Sequence, residues 1–120
     1  MAEFDCRSSI SEARYSVYIL EVIPLNDSCK YDLYVGSTGK SVEQRCEGHK
    51  SKKRPKSAQV FINNADVGEI RWDLMEDFPK FCSRERAEAA EGRVARWLVN
   101  EGFRVSCDKL RETGGNVPTT

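Results

Sequence analysis

Apolar residues fall along this chain in runs of two spacings, one of strands and one of helices. Tyr15 to Val22 (YSVYILEV) is rich in β-branched and aromatic residues, and it is too short and too uniformly apolar for an amphipathic helix, which predicts a strand. Pro24 to Lys30 carries turn chemistry in Pro24, Asn26, Asp27 and Ser28, and strand character resumes from Tyr31 to Gly36. The two runs read as a β-hairpin with a long loop. Ser41-Val42-Glu43-Gln44 is a capping-box pattern, so a helix starts there, and Pro55 ends it by disfavouring helical backbone at Arg54. Lys56 to Asn63, with Val60, Phe61 and Ile62, is expected to form a short helix closed by Asn63-Asn64. Glu69 to Glu76 (EIRWDLME) alternates, with Ile70, Trp72 and Leu74 on one face, which predicts a half-buried antiparallel strand. Ser83, with Glu85 in the first turn, opens a last long helix that Gly102 closes. Its apolar stripe reads Ala87, Ala90, Val94, Trp97 and Leu98.

These elements predict an α/β (α+β) domain with a small, mainly antiparallel three-stranded sheet flanked by helices. At 120 residues the chain has room for one domain with a modest core. That domain is expected over 14–108, between a flexible N-terminal arm (1–13) and a flexible tail (109–120) that contains Gly114-Gly115-Asn116-Val117-Pro118.

Charge changes the picture locally. Lys plus Arg and Asp plus Glu are each 19, so there is no global nucleic-acid signature and any anion site comes from clustering. Between Lys40 and Lys56 there are seven basic residues against two acidic ones, whereas Glu69 to Glu91 holds seven acidic against four basic. Five cysteines, odd in number and widely spaced, argue against a disulfide framework and a zinc ribbon and read as free thiols. The N-terminus lacks a basic segment followed by an apolar one, and no apolar run reaches membrane length, so a cytoplasmic protein without a membrane partner is expected.

Candidate chemistry begins where the second strand ends in Gly36-Ser37-Thr38 and turns into a helix. Helical spacing puts Val42, Arg45, Cys46 and His49 on one side, so a guanidinium and an imidazole stand one turn apart, an arrangement suited to a phosphate. Glu91 falls within the apolar stripe of the last helix, and an uncompensated carboxylate on a buried face is strongly disfavoured. It either lies at the edge of the stripe, paired with a surface cation, or serves as a metal ligand or an acid in a cleft.

In order along the chain, Ser16-Val17-Tyr18, Tyr34-Val35-Gly36, Arg45 with His49, and Glu91 on a later helix resemble the GIY-YIG nuclease superfamily, in its small stand-alone bacterial and phage branches. The resemblance spans about Tyr15 to Asp108. It departs from the family at Ser16, where the first motif has glycine, and near Arg104, where the family usually has asparagine. It implies a divalent-metal-dependent endonuclease that hydrolyses phosphodiester bonds in DNA. Catalytic roles then fall to Tyr18 as general base, to Tyr34 and His49 in orienting water or the proton path, to Arg45 on the scissile phosphate, and to Glu91 as ligand of one Mg²⁺ or Mn²⁺. The run Lys50, Lys52, Lys53, Arg54 and Lys56 directly after the catalytic helix would carry DNA backbone. With no zinc finger and no recognition helix, targeting would fall to DNA structure, a protein partner or self-association. The competing readings are a catalytically silent nucleic-acid-binding or adaptor protein of the same fold and an RNA-directed nuclease.

Overall fold

A computed structural model gives the fold and describes residues 14–51 and 65–107. The elements run β1 (Tyr15–Pro24), β2 (Leu33–Thr38), α1 (Val42–Ser51), β3 (Ala65–Ile70), β4 (Lys80–Phe81), α2 (Arg84–Asn100) and β5 (Val105–Ser106), with a 3-10 turn over Trp72–Leu74 between β3 and β4. The arm expected over 1–13, the tail expected over 109–120, the short helix expected over Lys56 to Asn63, and the helix end expected at Arg54 lie outside the described residues.

The apolar run at Tyr15 becomes the central strand because it is buried on both faces. β2 pairs antiparallel along one edge of β1, β3 and then β4 pair antiparallel along the other, and β5 adds to β2 in parallel. The sheet is therefore mixed and five-stranded, not the three-stranded one predicted. β4 and β5 span only two residues each, too few to leave a periodic signature.

The expected strand over Glu69 to Glu76 is also corrected, since β3 lies earlier and ends at Ile70. Beyond it Arg71 grips Asp73 through two hydrogen bonds of 3.0 Å. Leu74 and Met75 donate backbone N–H groups to Arg71 and Trp72 carbonyls. That closed turn turns Trp72 outward, to 51% exposure, and buries Met75. The edge of β1 stays satisfied across this gap, because Ile19 accepts from Arg71 N at 2.9 Å and donates to Met75 Sδ at 3.4 Å. Between Leu20 and Val22 the β1–β3 register shifts, and Glu21 turns its carboxylate to the Glu69 N–H at 3.1 Å. Gly68 is required there, since a Cβ would run into the Glu21 side chain.

Both helices start as their capping residues dictate. Gln44 N donates to Ser41 Oγ at 3.0 Å while Ser41 N donates to Gln44 Oε1 at 3.2 Å, and Arg86 N donates to Ser83 Oγ at 3.2 Å. Gly102, at φ 104°, ends α2, with Phe103 N reaching back to the Leu98 carbonyl at 3.1 Å. The buried stripe of α2 is Ala87, Ala90, Glu91, Ala95 and Leu98, rotated from the one expected, with Val94 half-buried and Trp97 41% exposed. Small alanines bring the helix close to β1 and β2, and a tryptophan on that line would hold it away. Among the described residues no helix is long and apolar enough to cross a membrane. Among the described residues Cys29, Cys46, Cys82 and Cys107 form no disulfide.

Side chains alternate along paired strands, so the register Tyr18↔Gly36 and Leu20↔Tyr34 puts these four on one face and Val17, Ile19, Val35 and Ser37 on the other. The first face meets α1 through His49 and the second meets α2 through Glu91. At the far end of β2, Arg104 locks β5 in place: its guanidinium donates to Asp32 at 2.8 and 3.2 Å, and its carbonyl accepts from Asp32 N at 2.7 Å.

Hydrogen bonding to Arg104 holds the Asp32 carboxyl below its ordinary value, against the opposing effect of burial. A carboxyl depressed on folding stabilises the fold above its unfolded pKa, and that contribution is lost as pH falls through the folded value. Asp32→Asn should therefore lower stability at pH 7 by a small amount, the pair being exposed, and leave stability near pH 2 unchanged, as measured by urea denaturation at both pH values.

Candidate active site

Three elements converge on the α1 face of the sheet. β1 supplies Tyr18, β2 supplies Tyr34, and α1 supplies Arg45 and His49 one turn apart. Tyr18 and His49 are joined by a hydrogen bond of 2.8 Å between Oη and Nε2, and both are almost wholly buried. The three rings form a triangle, with centroid separations of 6.2 Å (Tyr18–Tyr34), 6.0 Å (Tyr18–His49) and 5.4 Å in edge-on contact (Tyr34–His49).

Gly36 makes the triangle possible. A Cβ at that position would stand 2.5 Å from Tyr18 Oη, 2.7 Å from Tyr18 Cζ and 3.0 Å from Tyr34 Cε2, so the Tyr18 phenol lies directly over the glycine backbone.

The electrostatics of the cluster correct one expectation. Arg45 lowers the Tyr18 pKa by its charge and by a hydrogen bond, and Tyr34 by another, but burial outweighs them and the Glu91 charge adds to it, so the phenol is pushed well above its ordinary range. Tyr18 is protonated at neutral pH, and Arg45 alone does not make it a ready base. His49 is pulled down to about 4 by burial, with the Arg45 charge acting in the same direction. The neutral imidazole shares one proton with the Tyr18 hydroxyl across the Oη–Nε2 contact.

Glu91 approaches from the other helix. Its Oε2 accepts the Ser37 hydroxyl, its Oε1 lies 3.8 Å from Cys107 Sγ, and it is 6% exposed. Its burial sets it within the stripe and not at the solvated edge. Ser37 follows Gly36 directly, so β2 presents Tyr18 with one residue and Glu91 with the next.

Of the predicted site residues, Tyr18, Tyr34, Arg45 and His49 are brought together, and Glu91 acts on Tyr18 through its charge. Lys50 is exposed and pairs with Glu47 at 3.7 Å, while Lys52, Lys53, Arg54 and Lys56 lie outside the described residues. Ser16, the departure in the first motif, pairs with Thr38 and with Lys80. Arg104 stands about 16 Å along β2 from Ser37, five residues at strand rise, and belongs to the fold and not to the cluster. Ser37 and Cys107 are the residues that the sequence did not reveal as partners of Glu91, and no local pattern links positions so far apart.

Compared with family models, curated proteins and solved structures, the chain matches none.

Two measurements check this geometry. Gly36→Ala should destabilise the fold by about 1–3 kcal/mol through overpacking and should displace both tyrosine rings, seen as a lower urea midpoint and altered near-ultraviolet circular dichroism. His49 is the chain's only histidine, so its imidazole NMR signal is unambiguous and should titrate near pH 4; a midpoint near 6.5 would show that the ring is not buried. Because the unfolded chain binds that proton more readily, the His49 contribution to stability is full above about pH 6.5 and falls away toward pH 4.

Proposed function

We propose that this protein is a divalent-metal-dependent endonuclease acting on DNA, with a GIY-YIG-like site built on the three longer antiparallel strands, β3-β1-β2. The observation that carries the reading is the convergence of Tyr18, Tyr34, Arg45 and His49, drawn from three elements, in one cluster under the Glu91 charge. A structural core would be filled by apolar side chains. Here a guanidinium, an imidazole and two phenols occupy the space instead, an arrangement expected where charge must be handled.

The donors beside Ser37 fit a hard cation in kind. Glu91 offers a carboxylate and Ser37 a hydroxyl, both oxygen donors. A Mg²⁺ or Mn²⁺ ion keeps several of its waters and takes few protein ligands. Glu91 would be the protein ligand, and the ion, when bound, supplies charge neutralisation and a more acidic water.

The chain's own residues account for the remaining work. Arg45, half-buried beside Tyr18, clamps the scissile phosphate with paired N–H donors. Tyr18, its hydroxyl fixed by His49 Nε2, would orient the attacking water, whose proton is lost to solvent as its oxygen bonds to phosphorus. The bond to the leaving oxygen breaks in the same step, and that oxygen takes a proton from solvent. Tyr34 holds the Tyr18 hydroxyl in line through its hydrogen bond.

One observation favours the second reading, a catalytically silent nucleic-acid-binding protein: Tyr18 is 1% exposed and Glu91 6% exposed. Incubation with supercoiled, branched and single-stranded DNA and with RNA, in Mg²⁺ or in EDTA, separates the two. Metal-dependent nicking of DNA is expected, with Arg45→Ala, Glu91→Ala and Tyr18→Phe each slower by about 100-fold or more. Cleavage that survives all three substitutions would remove the site assignment, and binding without cleavage would leave the silent reading.

A further inference from the structure

The Glu91 carboxylate has a neighbour that the proposed chemistry does not use. Cys107 Sγ lies 3.8 Å from Glu91 Oε1 and 4.0 Å from the Glu91 carbonyl oxygen, and the residue is 3% exposed. The other carboxylate oxygen accepts the Ser37 hydroxyl. A hydroxyl from β2 and a thiol from the end of β5 thus sit on the two oxygens of one carboxylate from α2.

Strand register accounts for the placement. β5 pairs with β2 in parallel with Ser106 opposite Tyr34, so Ser106 shares the face of Tyr34 and the next residue, Cys107, turns to the face that carries α2. Sixteen residues separate Glu91 from Cys107, and no helical or strand period links them. A thiol is a weak hydrogen-bond donor, and at 3.8 Å it does little for a carboxylate. The same separation suits two ligands of one ion. With Zn–S of about 2.3 Å and Zn–O of about 2.0–2.2 Å, tetrahedral bond angles set the sulfur and the oxygen about 3.5–3.7 Å apart. A soft sulfur donor selects Zn²⁺ and its relatives, whereas Mg²⁺ takes oxygen alone. Ser37 is only half-buried, and it is from its side that an ion reaches the pair.

We propose that Cys107 and Glu91, the carboxylate steadied by Ser37, form a binding site for a thiophilic divalent cation of the Zn²⁺ class, whose entry displaces the thiol proton to solvent. As a metal site it stands on this cluster alone. As a control on cleavage it rests on the nuclease reading, because a carboxylate that shares a Zn²⁺-class ion with Cys107 is withdrawn from Mg²⁺.

The test uses the full chain, freshly reduced, with Cd²⁺ as the probe, because the ultraviolet charge-transfer band of a thiolate bound to Cd²⁺ reports the metal–sulfur bond without any reaction. One Cd²⁺ per chain should bind and raise that band. Cys107→Ser should remove it, whereas Cys6→Ser, Cys29→Ser, Cys46→Ser and Cys82→Ser, taken singly, should keep it. Cys107→Ala serves the same purpose where a buried serine hydroxyl unfolds the chain. Glu91→Gln should weaken Cd²⁺ binding by at least about 10-fold, since losing even a group that only supports a metal ligand costs that much. No band in the parent, a band that survives replacement of Cys107, loss of the band in one of the other cysteine variants, or parental affinity in Glu91→Gln would overturn the proposal. Where the parent nicks DNA in Mg²⁺, added Cd²⁺ should suppress nicking in step with the band, and nicking at full rate with the band complete would overturn the control on cleavage. Cd²⁺ held through Cys107 and Glu91 in a protein that never nicks DNA would retire the nuclease reading and leave the metal site standing.

Discussion

The approach of the Tyr18 ring onto Gly36 is the contact on which the rest of the molecule depends. It is set by the β1–β2 register, and a slip of one residue would send Tyr18 and Tyr34 to the face that carries α2. With the register in place, Tyr18 points its hydroxyl at His49, α1 is drawn against the sheet, and Ser37 is turned to the opposite face to meet Glu91. Any side chain at position 36 would wedge the strand away from the phenol. The glycine serves close approach, not an unusual backbone angle.

Burial then decides the chemistry of the groups collected there. A phenol raised by desolvation and an imidazole lowered by it reach the same outcome, two neutral partners that share one proton at 2.8 Å. A charged histidine beside Arg45 would be repelled, and a phenolate would stand near the Glu91 charge without water to screen it. The carboxylate is treated differently, since it is held by a hydroxyl and approached by a thiol on the other side of β2. The sheet thus keeps its cationic and anionic groups on separate faces while leaving them close enough to act on one another.

The edge of β1 opposite β2 shows how an irregular segment can still satisfy a central strand. β3 serves its C-terminal half, β4 its first residues, and the turn at Trp72 bridges the interval with one backbone and one sulfur contact. Period-2 alternation of Ile70, Trp72 and Leu74 suits a strand, but the Arg71–Asp73 fork and the buried Met75 close a turn instead. Side-chain pairing over two residues overrides the period-2 pattern there. The stripe of α2 differs from the expected one for a related reason: hydrophobicity ranks Val94 and Trp97 above alanine, whereas close packing on a sheet selects the smaller side chain.

What the sequence determined by itself was local. The β1–β2 hairpin, the capping box at Ser41 and the serine cap at Ser83, the Gly102 stop, the shared face of Arg45 and His49, and the anomaly of Glu91 all follow from neighbours within a few residues, where sterics and hydrogen bonding act directly. Tertiary structure alone decided the contacts that span the chain. Two-residue strands β4 and β5 exist only because β1 and β2 have edges to fill, and the Asp32–Arg104 lock exists because β5 returns beside β2. The role of the stretch Tyr34 to Thr38 belongs to both. Its turn toward a helix is written locally, but that Gly36 lies under Tyr18 and Ser37 holds Glu91 depends on strand register and helix packing, which no single stretch encodes.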